Sequence, residues 1–180
     1  MSDHKRRLVE RIMEAGFLEG LEEMPLDELR AIRDECREGE NEVSFERRLC
    51  QARIDILSAE LDRRTGKDQG DLLSRLPEIL AAEGEGSPQS ALPSRAPTFA
   101  IPRNADVPRR RVEEIVGETT LARLGQVEAE ELKGIIASLD EHERELSEKR
   151  RKVHEVMDQI QAEIVRRYTT GQADPTAALR

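Results

Sequence analysis

The feature that most constrains this chain is an apolar seam that is interrupted by charge twice, in the same way. From Leu132 the seam runs through Ile136, Leu139, Glu143, Leu146, Arg150, Val153, Met157 and Ile160 to Ile164. An earlier seam runs from Leu29 through Arg33, Cys36, Glu40, Val43, Arg47, Cys50, Ile54 and Leu57 to Leu61. Steps of four and three residues keep one stripe of a helix turned toward a partner helix, as at the a and d positions of a coiled coil. In both seams a Glu and an Arg, seven residues apart, stand where the pattern asks for apolar side chains. A charge buried there without a partner costs on the order of several kcal/mol, so something must satisfy these groups.

The interruption belongs to a longer polar stripe. Glu40, Ser44, Arg47, Gln51 and Asp55 fall at steps of four, three, four and four, and Glu143, Ser147, Arg150, His154 and Asp158 repeat those steps 103 residues later. Five positions so spaced share one narrow face of a helix. The flanks repeat at the same offset: LEGLEEMPLDELRAI at 18–32 aligns with LARLGQVEAEELKGI at 121–135, and SAELDRR at 58–64 with QAEIVRR at 161–167. This is a duplicated unit of about 45 residues.

Composition agrees with long helices rather than a broad core. Aromatic residues make up 2% of the 180 and charged residues 37%, too few large apolar groups to fill a layered globular interior. The expected fold is all-α, with two long helices forming an antiparallel coiled-coil hairpin, a short N-terminal helix and a largely flexible central linker. The segments are 1–24, an N-terminal helix over 3–15 stopping near Gly16 and a connection; 25–64, the first long helix; 65–109, the linker; 110–127, a short helix and connection; 128–168, the second long helix; and 169–180, a frayed tail. Pro25 suits a first helical turn, with Asp27 and Glu28 at the positive end of the helix dipole. Gly39 is the one residue that invites a bend in the first long helix. The linker is rich in Gly, Pro and Ser, broken by one helical fragment around Leu72–Ala82.

A net charge of −9 argues against general nucleic-acid binding and suits either a basic partner or plain solubility. Cys36 and Cys50, fourteen residues apart on one helix, lie about 21 Å apart and cannot bridge each other, so they read as small apolar residues of a reduced protein. The N-terminus has no apolar signal region and no run approaches membrane-spanning length, which leads to the expectation of a cytoplasmic protein with no membrane association. No Gly-rich phosphate loop or nucleophile–base arrangement is present, and the chain is not expected to be an enzyme.

Three accounts of the seam charges compete. They pair across the interface and set register, they are solvated because the helices splay, or they line a ligand pocket. Ser44, Ser147, Gln51, His154, Asp55 and Asp158 add hydrogen-bonding groups that a register lock does not need. If the helices run antiparallel with the stripes centred on each other, facing positions sum to about 198. Arg47 and Arg150 then meet near the middle, Glu40 lies with Asp158 at one end, and Asp55 with Glu143 at the other. The complementary ligand is two-fold symmetric, anionic at its centre and rich in N–H donors at its ends. Arginine reads phosphate and the guanine Hoogsteen edge, and a carboxylate accepts the guanine N1–H and N2–H pair, so a cyclic diguanylate fits.

The pattern E-x3-S-x2-R-x3-Q-x3-D, present twice, resembles the signature of RsiG-type anti-sigma factors. The first copy matches fully; the second has His154 where the pattern has Gln. The resemblance implies that Glu40, Ser44, Arg47, Gln51, Asp55, Glu143, Ser147, Arg150, His154 and Asp158 bind a stacked pair of cyclic di-GMP molecules, with no metal. It further implies that the ligand-bound protein, a monomer before complex formation, holds the sporulation sigma factor WhiG away from core RNA polymerase. Without ligand the charged seam is expected to keep the central third of the helices from zipping. The acidic stretch Glu19, Glu22, Glu23, Asp27 and Glu28 is a candidate contact for a basic sigma-factor surface, or a solvated helix start. Rival readings are a coiled-coil scaffold or homodimer whose polar seam sets register. Two minor readings are a metal site from His142, Glu143 and His154, and a local DNA contact by the PRRR run at 108–111.

Overall fold

A computed structural model describes residues 8–66 and 110–172. These residues form α1 (Leu8–Ile12), α2 (Leu26–Arg64), α3 (Arg111–Ile115), α4 (Glu118–Ala122), a 3-10 turn at Leu124–Gln126, and α5 (Ala129–Thr169), with no strand among them. The expected linker, its Leu72–Ala82 fragment and the end of the expected tail lie outside the described residues. The long helices, 39 and 41 residues, begin and end within a residue of the sequence expectation. The flanking pieces differ. Among the described residues the N-terminal helix ends at Ile12, short of the expected Ala15, its expected start at 3–7 lying outside them, and the segment after the linker forms two short helices instead of one.

Two compact units divide the chain, the first being Met1–Val43 with Glu148–Arg180 and the second Ser44–Ser147. Each contains a stretch of α2 and a stretch of α5 running antiparallel. In the first unit Leu29, Cys36, Val43, Val153, Met157, Ile160 and Ile164 are buried, together with Val9 and Ile12 of α1. In the second, Cys50, Leu57, Leu132, Leu139 and Leu146 are buried with Val112 and Val116. These are the apolar seam positions, so the heptad stepping fixed which face of each helix is covered. Burial pushes the Cys36 and Cys50 thiols up to about 11, which keeps both protonated and unreactive.

Gly39 does not bend α2, which is continuous from Leu26 to Arg64. A Cβ at Gly39 would lie 2.6 Å from Cδ1 of the buried Ile12, so the glycine is the notch into which α1 packs. Arg11 of α1 pairs with Glu35 of α2 beside it.

The duplication extends beyond the 45 residues visible in the sequence. α1 and α3 are equivalent at the 103-residue offset, with Val9 and Val112 both buried. The helix C-termini are also equivalent. In the second unit Arg64 is gripped by Glu60 at 2.8 Å and donates to the carbonyls of Leu124, at 2.6 Å, and Val127. In the first unit Arg167 is gripped by Glu163 at 2.7 Å and donates to the carbonyls of Leu21 and Glu22, each at 3.0 Å, and of Met24. One arginine thus ties the end of a long helix to backbone carbonyls of the connection that precedes the facing helix. This explains why both flanks, and not only the stripe, are repeated.

Hydrogen bonds from Arg63, and then from Arg64, lower the Glu60 carboxyl from 4.5 to about 2. Arg166 and Arg167 do the same to Glu163. A carboxyl depressed in the folded state contributes stability that is present above its unfolded value and lost as pH falls toward its folded value. The thermal midpoint is therefore expected to fall steadily from about pH 4.5 toward pH 2. Glu60→Gln should flatten that dependence, as followed by circular dichroism melts across the range.

Candidate functional site

The stripe residues converge within each unit. In the second unit Glu143 of α5 is the hub. Its Oε1 accepts from Arg47 Nη1 and from Gln51 Nε2 of α2, each at 3.2 Å, and from Ser147 Oγ at 2.9 Å. In the first unit Glu40 of α2 is the hub, accepting from Arg150 Nε at 2.9 Å and lying 3.3 Å from His154 Nε2. The two hubs are equivalent at the 103-residue offset, with His154 in the place of Gln51. All of these side chains are partly buried.

These contacts correct the expected register. Arg47 faces Glu143 and Glu40 faces Arg150, pairs whose numbers sum to 190 rather than 198. Gln51–Glu143 and Glu40–His154 sum to 194, so the difference is four to eight residues, a slide of about 6–12 Å. Glu40 is thus paired with Arg150 and His154, and Glu143 with Arg47, Gln51 and Ser147. Nor do the charges hold the helices apart, because each unit pairs them. In this register each hub Glu meets a seam Arg, whereas the arginine-centred register sets Arg against Arg.

Ser44 is half-buried, and Asp158 is exposed on α5. Asp55 is half-buried on α2 with no donor among the described residues, and desolvation raises its carboxyl above the usual range. Arg47 carries a second unused group: its Nε is buried and donates to nothing among the described residues. The second unit therefore presents an orphaned cationic donor and a desolvated acceptor on one face of α2, about 12 Å apart along the helix.

Sequence reasoning passed over one pair. Glu46 and His142 are both buried, with Nε2 of the imidazole 3.1 Å from the Glu46 Oε1. Each directly precedes a hub residue, Arg47 or Glu143, but lies off the stripe. The available signal was the failure of the repeat at these positions, since their equivalents are Lys149 and Gly39.

Among the described residues no group of three or more His, Cys, Asp or Glu side chains could hold a metal ion, and no helix is long and apolar enough to cross a membrane. From the basic run, Arg110 is buried over the Phe45 ring at 5.0 Å and its backbone N–H donates to Glu113 at 3.3 Å, so this arginine is committed to packing α3. Arg53 Nη1 donates to the carbonyls of Val112 and Val116, both at 2.7 Å, and fixes the other end of α3.

No curated protein matches the chain. A family model described as RsiG-like matches residues 15–80 and 118–180, which takes in both long helices, both hubs and both arginine-tied connections. With duplicated Glu hubs bridging antiparallel helices and a family match over most of its length, the chain belongs to the RsiG-like family of anti-sigma factors.

Proposed function

We propose that this anti-sigma factor binds cyclic di-GMP at the stripe residues of its two long helices and, when loaded, sequesters a sporulation sigma factor of the WhiG type. The observation that carries this reading is the buried Arg47 Nε without an acceptor among the described residues, beside Glu143 Oε1, which already accepts from three side chains. A register lock satisfies its own donors; a binding site keeps some in reserve.

Binding proceeds by exchange. The ligand phosphates compete with Glu143 for Arg47 and with Glu40 for Arg150, both of them charge-assisted contacts that phosphate geometry suits. The freed carboxylates then accept the guanine N1–H and N2–H pair, and the desolvated Asp55 gains donors it lacks without ligand. Two ligand molecules and the two copies of the stripe agree in number. His154 replaces an amide by an imidazole, so the first unit offers a different donor from that of Gln51. The fixed, ligand-loaded helices then present a surface for the sigma factor, with exposed Glu19, Glu22, Glu23, Asp27 and Glu28 facing its basic regions.

The scaffold reading has an observation of its own, since Arg47–Glu143 and Glu40–Arg150 bridge the helices without any ligand. Calorimetric titration of the purified chain with cyclic di-GMP, with cyclic di-AMP and GTP as controls, separates the two. Saturable binding of cyclic di-GMP alone, and ligand-dependent capture of the sigma factor, are the expected results. No heat with any nucleotide would leave the scaffold.

A further inference from the structure

An apolar seam that repeats every seven residues is nearly degenerate: sliding one helix by a heptad restores most of its apolar contacts. The hubs cannot remove that degeneracy if they must open to exchange partners with a ligand. A second polar contact, buried and off the stripe, can. We propose that Glu46 and His142 are positioning residues, whose buried hydrogen bond selects the register that sets Arg47 opposite Glu143 in the second unit. The proposal rests on the reading of the stripe as a binding site only for its consequence, not for its geometry.

The carboxylate and the imidazole are 5% and 3% exposed at their side chains and 3.1 Å apart, with Glu145 Oε2 3.5 Å from the other ring nitrogen. A slip by one heptad in either direction sets Glu46 against Ile135 or Lys149 and His142 against Gly39 or Arg53. In neither case does the imidazole meet an acid across the interface, which leaves it only Glu145 of its own helix, and in one the buried carboxylate faces a branched alkyl chain. Leaving a buried charge or imidazole unpaired costs far more than the pair itself contributes, which is how a polar seam contact chooses among registers that apolar packing leaves equal. Because Glu46 and His142 directly precede Arg47 and Glu143, fixing one pair fixes the other. The first unit has no such device, as Gly39 and Lys149 occupy its equivalent positions. The duplicated site is therefore set by register in one copy only.

The test is cross-linking with a short bis-maleimide in the full-length chain. Arg47→Cys with Glu143→Cys reports the native register, and Arg47→Cys with Ile136→Cys reports a slip of one heptad. The native cysteines, buried and with thiols held near 11, stay silent. With Glu46 and His142 present the native pair should react roughly five-fold or more faster than the slipped pair, a preference of the size such contacts confer. Glu46→Leu with His142→Leu should bring the ratio toward one while circular dichroism shows helices intact. The exchanged pair, Glu46→His with His142→Glu, should restore the preference, which a loss of packing alone would not do. An unchanged ratio in the leucine variant, or an exchanged pair that fails to restore it, overturns the proposal. Should the leucine variant unfold, the exchanged pair decides alone. None of these readouts uses nucleotide, so they stand apart from the fate of the cyclic di-GMP reading. If that reading holds, the leucine variant should also bind cyclic di-GMP roughly ten-fold more weakly.

Discussion

Arg47→Leu is expected to weaken cyclic di-GMP binding by about 100-fold or more, with a thermal midpoint unchanged or raised. The binding loss follows from charge-assisted hydrogen bonds worth roughly 1.5–3 kcal/mol each, two of which exceed the 2.8 kcal/mol that a hundred-fold change represents. Stability should survive because Glu143 keeps Gln51 and Ser147 as donors at 3.2 and 2.9 Å, so it is not stranded when the guanidinium leaves. Leucine also restores the apolar side chain that the seam position otherwise calls for. Arg150→Leu should act alike, with His154 left to hold Glu40. A scaffold would answer in the opposite sense. Its arginines would matter to stability and not to any nucleotide, and a binding isotherm beside a melt on the same protein distinguishes the two.

Leu139→Ala should cost on the order of 3 kcal/mol, within the range for a fully buried leucine cut back to alanine. Leu139 has no solvent exposure, and its backbone carbonyl accepts from the Cys50 thiol of the facing helix at 3.2 Å. It lies one helical turn before Glu143, so the cavity would form under the hub of the second unit. Urea denaturation would report the loss directly. The binding defect should be much smaller than that of Arg47→Leu once the fraction folded is taken into account, since no ligand-reading group is removed. A defect as deep as that of Arg47→Leu in fully folded protein would mean that packing, and not the arginine, makes the site.

The stripe was legible because helical spacing is rigid. Steps of four and three admit one periodicity, and two copies at one offset cannot be a chance feature of a charged helix. The start of the first long helix was legible for similar reasons, from Pro25 with its following acids. Gly39 was misread as a bend because a glycine within a helix signals either flexibility or a close approach, and only the position of Ile12 discriminates between them. The division between α3 and α4 falls where Arg53 reaches the carbonyls of Val112 and Val116, and a linear pattern does not contain that information.

By itself the sequence determined that two long helices pair along a seam, that the seam carries charge, and which ten residues share the charged face. These are properties of one helix at a time, fixed by a constant rise and twist. Tertiary structure alone decided the register. Sliding the helices by about 6–12 Å changes no residue's face but changes its partners, turning an expected meeting of arginines into two glutamates each held by an arginine from across the interface. That choice is made by the high cost of burying an unpaired charge, a quantity that exists only once both helices are in place.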